Sequence, residues 1–369
     1  MPALNSTTRA YGSPSRYIQG RNELNNLREY TELFGRSVFV LIDVVFFGPY
    51  QKKFQELYKG SDTQVHVELF GGTINESEIH RATEIAQGMS ADVVVGMGGG
   101  QTMDTAKAVA DNCRAATIII PTTASTDAPT ISLSVIHSAG EATIRHYVKN
   151  PDLVLLDTEI IAKAPVRFLV AGMGDGLSTY VESRAHQLSY SPNHVWKGFQ
   201  RTISAMAIAR ACHETILKKG LSAKLAAEKG LCTPDLEDVV EANTLMSGLG
   251  VQNTSSAGAH SVAEGLMVLP GCSKLLHGEA VAFGIPVQLI VEGRPQEEIR
   301  EIYEFFNDVG LPMTFADLGI PDVTEEELMK VAETSLLAYW NIEPFHVTAQ
   351  MVYDGIVMAD QLGRLYKRK

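Results

Sequence analysis

The sequence predicts an α/β domain built on a parallel sheet, residues 1–163, joined directly to an all-helical domain, residues 164–369. Two observations carry the first part. Before about Pro165, short runs rich in β-branched residues recur without polar alternation, the pattern of strands covered on both faces. Stretches of helical periodicity separate them, as crossover connections between parallel strands require. A third observation carries the second part. Segments such as VWKGFQRTISAMAIARACHETILKKG and EDVVEANTLMSGLG place apolar residues three to four apart and contain few strand signals. No low-complexity segment, repeat or long linker intervenes, so the two domains are expected to abut and share a cleft.

In chain order, VFVLI (38–42) reads as a buried strand, followed by a helix over about 51–58. VHVELF (65–70) is the next strand, then a helix over about 76–89, then the strand DVVVG (92–96). A helix beginning near Thr102 leads to ATIIIP (116–121). LSVIH with RHYV reads as a small hairpin, and LVLLD (153–157) closes the sheet.

Bulk properties narrow the function. A chain of 369 residues with 45% apolar and 20% charged side chains has the balance of a soluble globular protein. Its formal charge of −12 argues against a general nucleic-acid binder, which needs a basic face. The four cysteines (Cys113, Cys212, Cys232, Cys272) lack C-x-x-C spacing and read as buried thiols of a cytoplasmic protein. The polar N-terminus lacks the apolar stretch of a signal peptide, and the greasiest run, 37–50, is too short to span a bilayer.

The stretch GMGGGQTMDTAK (96–107) is strand, glycine turn and helix. A helix N-terminus offers unpaired N–H groups, and glycines let an anion approach them closely. Neither G-x-G-x-x-G, which would need glycine at Gln101, nor a Gly-Lys-Ser/Thr ending is present. Taken alone, a tight turn without ligand and a phosphate cradle are equally good readings. Asp43, at the end of a strand, is by itself best read as a cap, and IPTTASTDAPT (120–130) as a hydroxyl-rich loop. Three such features at successive strand ends favour a dinucleotide. In the helical half, Asp175 in AGMGDGLSTYVESRA, His260 in SSAGAHSVAEGL and His277 in KLLHGEAVAFG offer a three-ligand metal site with an open position. Each residue alone reads as a cap or a satisfied core histidine.

The chain resembles the glycerol dehydrogenase branch of the iron-containing (group III) alcohol dehydrogenase superfamily. The matching pieces are SPSRYIQG, GMGGGQTMDTAKAVA, PTTASTDAPTISLSV, NPDLVLLDTEII, AGMGDGLSTYVESRA, EANTLMSGLG, GAHSVAEGL and LLHGEAVAFG, in order along the chain. The resemblance implies the dehydroquinate synthase-like architecture, a Rossmann-like NAD domain followed by a helical domain with the active site between. It implies that Asp175, His260 and His277 hold zinc and that Asp127 contacts a polyol. It implies cofactor contacts at Asp43, Gly98, Gly99, Gly100, Gln101, Asp104, Thr122, Thr123, Ser125, Leu133 and His137. It also implies a homo-oligomer, often an octamer.

Four positions depart from the branch. Gln101 replaces a frequent Lys, His137 a frequent Tyr, Ile131 a frequent Ser and Ala263 a frequent His. The last change favours a three-ligand zinc site over four-ligand iron, with Fe2+ or Mn2+ as the rival ions. Glu264, one helical turn beyond His260, reads as a solvated helix carboxylate. The expected activity is NAD-dependent oxidation of glycerol or another small vicinal diol. The rivals are a 2-hydroxyacid/2-ketoacid or amino-alcohol dehydrogenase, a cyclase resembling dehydroquinate synthase, and a non-catalytic NAD-binding protein.

Overall fold

The computed structural model describes residues 7–138, 141–196 and 198–368. Its strands are β1 (Tyr17–Gly20), β2 (Ser37–Ile42), β3 (Gln64–Leu69), β4 (Val93–Gly98), β5 (Ala116–Pro121), β6 (Leu133–Ser138), β7 (Glu141–His146) and β8 (Leu153–Asp157). Six of them form one sheet in the order β1-β8-β5-β4-β2-β3, with every pair parallel. β6 and β7 form a separate antiparallel hairpin. From β2 the chain goes to β3 on one side and returns to β4 on the other. This reversal opens a crevice at the carboxyl ends of β2 and β4, where ligands of such sheets bind.

Both faces of the sheet are covered, which explains the missing alternation. Val38, Val40, Ile42, Val93, Val95 and Met97 pack with Leu24, Leu27, Phe54 and Tyr58 on one side. Phe39, Leu41, Val94, Ile119, Val154 and Leu156 face the other side. That second core continues without a break into Met173, Leu177, Val262, Phe283 and Ile356 of the helical half.

The helices around the sheet are α1 (Leu27–Thr31), α2 (Val44–Leu57), α3 (Glu76–Gly88), α4 (Gly100–Cys113) and α5 (Thr158–Lys163). The helical half comprises α6 (Val166–Ser189), α7 (Ile203–Glu228), α8 (Pro234–Glu241), α9 (Ser247–Asn253), α10 (Gly258–Leu266), α11 (His277–Val291), α12 (Gln296–Val309), α13 (Glu325–Ser335) and α14 (Ala349–Tyr366). Among the described residues it contains no strand of the sheet, and no helix is long and apolar enough to cross a membrane. All four cysteines are free.

Three local features differ from the sequence reading. α2 starts at Val44 rather than near Gln51, because the Asp43 carboxylate accepts a hydrogen bond from the Val45 N–H at 2.9 Å and caps the helix there. β1 has only four half-buried residues, too short to show a period, and takes its place by pairing with β8 at the sheet edge. Between α8 and α9 the chain widens into a π turn, Ala242–Met246, inside EANTLMSGLG. Such turns are uncommon and often mark functional sites.

Candidate active site

The carboxyl ends of β2, β4 and β5 stand side by side and carry three of the predicted features. β4 runs into the glycine turn, and α4 begins at Gly100 with Gly99 as its N-cap and no side chain capping its first turn. Gly98 is forced by the protein itself: a Cβ there would lie 2.8 Å from the Asp43 Cβ and from the Thr102 hydroxyl. Gly99 and Gly100 are different, since nothing lies within 4 Å of the space a Cβ would fill. Their bareness serves no contact within the chain. It leaves open the approach to unpaired N–H groups at the positive end of a 14-residue helix, which suits a pyrophosphate.

Asp43 joins this turn directly, its N–H donating to the Met97 carbonyl at 3.0 Å while Oδ1 caps α2. On the other side the Thr122 N–H donates to the Gly98 carbonyl at 3.2 Å, linking the turn to the loop after β5. Along this loop Thr122 is buried, and Thr123 and Ser125 share a hydroxyl contact of 3.1 Å.

The loop is held from beneath. The Asn243 amide, in the π turn, donates to the carbonyls of Ala124 and Leu169 at 3.0 Å each, and Thr130 Oγ1 donates to the Thr244 carbonyl at 2.9 Å. Lys107, itself buried, donates to Asp104 Oδ1, the Ala128 carbonyl and the Leu133 carbonyl. Asp104 is buried with it and accepts from the Val135 N–H at 2.9 Å, so it ties α4 to β6. Gln101 turns toward the loop before α3, where Oε1 accepts from the Ile74 N–H at 3.0 Å. His137 lies exposed on β6, with its N–H donating to the Ile74 carbonyl.

The loop ends at the three expected metal ligands. Asp175 is on α6, His260 on α10 and His277 at the start of α11, and one ligand atom from each lies within 4.8 Å of the others. α6 and α11 approach so closely that a Cβ on Gly278 would sit 1.9 Å from the Ala171 carbonyl oxygen. A Cβ on Gly172 would sit 2.0 Å from the Ala124 carbonyl oxygen. The glycines of AGMGDG and LHGEA thus bring the ligand-bearing backbones together.

Asp175 Oδ1 is 3.5 Å from His260 Nε2 and 3.4 Å from His277 Nε2. Ligand atoms around a tetrahedral metal at its usual bond lengths are about 3.3 Å apart. The same oxygen is buried and accepts no hydrogen bond. The other, Oδ2, accepts from the Asp127 N–H at 3.3 Å. Burial opposes charge on Asp175, yet His277 and His260 outweigh it and hold the carboxylate below its usual range. Burial likewise opposes charged imidazoles, but Glu182 and Asp175 raise His260, and Asp175 raises His277. His277 keeps 46% of its side chain exposed, so one side of the cluster stays open. An orphaned carboxylate oxygen, two imidazole nitrogens at ligand spacing and one open side fit a divalent metal.

Glu182 was not singled out from the sequence. It lies two turns beyond Asp175 on α6, fully buried. Its Oε2 pairs with His260 Nδ1 at 2.7 Å, and its Oε1 accepts from the N–H groups of His260 and Ala257. With Nδ1–H donating to the carboxylate, Nε2 is the nitrogen that faces Asp175 and, on losing its proton, would offer its lone pair to a metal. The seven-residue spacing in DGLSTYVE was the available signal.

His260, His277 and Asp127 open into a cavity of about 680 Å³. Leu133 and Val135 of β6 and Ile144 and His146 of β7 form one wall, and Glu264, Leu337 and Tyr339 of the helical half contribute to another. The Asp127 carboxyl is pushed up to about 7 by burial and then by the Asp175 charge.

Comparison with known proteins places the chain in a family. Residues 14–158 match the family described as iron-containing alcohol dehydrogenase. A glycerol dehydrogenase of Thermotoga maritima is 44% identical over 360 residues, covering 96% of this chain and 97% of that protein. The chain belongs to the iron-containing alcohol dehydrogenase family. Another relative, the glycolaldehyde reductase of Halobacterium salinarum, is 38% identical over 361 residues, covering 97% of this chain and 98% of its own. The crystal structure of glycerol dehydrogenase from Schizosaccharomyces pombe superposes with a TM-score of 0.92 at 36% identity, covering 98% of this chain and 92% of that one. The chain is therefore an oxidoreductase of the glycerol dehydrogenase branch of the family.

Proposed function

We propose that the protein catalyses the reversible, NAD-dependent oxidation of glycerol or a related small vicinal diol to the hydroxyketone. The reaction takes place in the cleft between the sheet half (1–163) and the helical half (164–369). The observation that carries this reading is the continuous track from glycine turn to ligand cluster. Gly98 is bonded to Thr122 at one end of the loop after β5, and Asp127 to Asp175 at the other. A dinucleotide lying along that loop points its reactive end at the metal ligands. The name and near full-length identity of the Thermotoga maritima relative support glycerol as the lead substrate.

Each side chain has a distinct task. The N–H groups of Gly99 and Gly100 hold the pyrophosphate, with Gly98 shaping the turn. The free oxygen of Asp43 accepts from a ribose hydroxyl and repels a 2′-phosphate, which selects NAD. Thr122, Thr123, Ser125 and Leu133 line the path of the cofactor. Gln101, Asp104 and His137 stand around that path, with Gln101 and Asp104 fixing the loop before α3 and the start of β6 that border it. NAD supplies the hydride acceptor. Asp175, His260 and His277 hold the metal, for which a three-residue Asp/His set with an open side favours zinc. The ion contributes Lewis acidity that eases deprotonation of an alcohol near neutral pH. Asp127 orients the hydroxyl groups, and a carboxyl that burial raises above its usual range can take up and release the proton there.

Free thiols fit a cytoplasmic location. Exposed Leu188, Tyr190 and Ile203 on the helical half support homo-oligomer formation. The test is NAD reduction at 340 nm with glycerol and 1,2-propanediol, as prepared, after chelation and after zinc is restored. Turnover that chelation abolishes and zinc restores supports the reading. Absence of turnover on every diol in the zinc-loaded enzyme overturns it.

A further inference from the structure

The cavity has one property that the family assignment leaves open. Among the described residues it is lined by two carboxylates, Asp127 and Glu264, and by no lysine or arginine. Glu264 lies on α10 one turn beyond His260, exposed, and among the described residues no cationic side chain pairs with it. The sequence reading of a solvated helix carboxylate is thus met, but the solvent it faces is that of the substrate cavity.

Cations near the cavity are committed elsewhere. Lys107, whose charge reaches Asp127, is buried and donates to Asp104, Ala128 and Leu133. Arg145, beside Ile144 and His146 in the cavity wall, bonds to Asp111 and Asn112 and lies over the Tyr147 ring. His194 lines the cavity, stacked on His146, and burial with the neighbouring histidines pushes it down to about 4, so it adds no positive charge near neutral pH. On the side of the cavity away from the metal-site histidines, a substrate carboxylate or phosphate would meet Glu264 with no lysine or arginine in the lining to offset it, whereas an ammonium would meet an opposite charge.

We propose that Glu264 selects substrates by charge: the group remote from the reacting hydroxyl is neutral or cationic, and anionic hydroxyacids are rejected. This rests on the function proposed above and decides between its rivals, favouring an amino alcohol over a 2-hydroxyacid as the alternative substrate.

The test compares 1,2-propanediol, 1-amino-2-propanol and 2-hydroxybutyrate near neutral pH, where the amine is protonated, on the zinc-loaded enzyme and two variants. In Glu264→Gln, the kcat/KM ratio of amino alcohol to diol is expected to fall roughly tenfold. In Glu264→Lys, the ratio of hydroxyacid to diol is expected to rise roughly tenfold. The same ranking is read without turnover, from the concentration of each compound that half-saturates the melting shift of the NAD-bound enzyme. Ratios that stay within twofold in both variants overturn charge selection by Glu264. If none of the three alcohols is turned over, the proposed reaction fails, and the binding ranks alone then decide the charge question.

Discussion

Two buried carboxylates near the candidate metal ligands have opposite fates, and the difference lies in their partners. Glu182 is satisfied three times over, by the His260 ring and by two backbone N–H groups. Its charge would fix the tautomer of a candidate ligand, His260. Replacing it with Gln keeps the shape but weakens the acceptor, and such supporting changes cost about 10–100-fold in metal affinity. Glu182→Gln is therefore expected to lose zinc to a chelating dye at correspondingly lower dye concentration, with its melting curve in saturating zinc little changed. Glu343 has the contrary environment. It is buried without a hydrogen-bond partner for either oxygen, and burial together with Glu292 and Glu182 pushes it up to about 8 despite Arg184 nearby. Because its folded value lies above that of an unfolded chain, the native state binds the extra proton. Its stability contribution is intact below the unfolded value of 4.5 and is lost as pH rises from there through about 8. Glu343→Gln should match the parent near pH 4, below the unfolded value, and exceed it by about 2–5 kcal/mol above pH 8, measured by urea denaturation. At this scale the sequence singled out Asp175, His260 and His277, which the fold brings together, but not Glu182, because a carboxylate gains that role only when a distant helix delivers an imidazole to it.

Helix starts do most of the positioning. α4 opens with a bare turn, α10 carries His260 in its first turn, and α11 begins at His277. The two glycines of the α4 turn can be told apart by experiment. Gly99 has φ −81°, open to any residue, and free space where a Cβ would go. Gly99→Ala is expected to leave stability within about 0.5 kcal/mol of the parent while weakening NAD at least tenfold by blocking the phosphate's approach. Gly98→Ala, by contrast, meets Asp43 and should destabilise the fold by about 1–3 kcal/mol. Calorimetry with and without NAD separates the two effects. Most elements were legible because buried parallel strands and long amphipathic helices impose strong patterns. β1 and the π turn were not. One is four residues long, and the other differs from a regular helix by hydrogen-bond pairing that residue types do not encode.

The two halves of the molecule share one apolar core. Apolar side chains of the sheet (Phe39, Leu41, Val94, Ile119) belong to the same packed cluster as Met173, Phe283 and Tyr303 of the helical half. The sequence pointed to a change of character near Pro165 but gave no sign of this sharing, since apolar periodicity shows which face is buried and not against what. A single calorimetric transition is expected, and chelation should move it down without dividing it. At zinc about 100-fold above its Kd, restoration should return about 2.7 kcal/mol. Two resolved transitions would show that the halves melt independently.

The shared cluster also bears on how the cleft opens. Were the halves separate lobes, they could swing apart to admit cofactor, but prising them open here would strip a common apolar seam. The β6–β7 hairpin stands outside the six-stranded sheet and forms one wall of the cavity. Exchange of a ligand without breaching that seam would fall to the ribbon, whose strands are hydrogen-bonded to each other and not to the sheet.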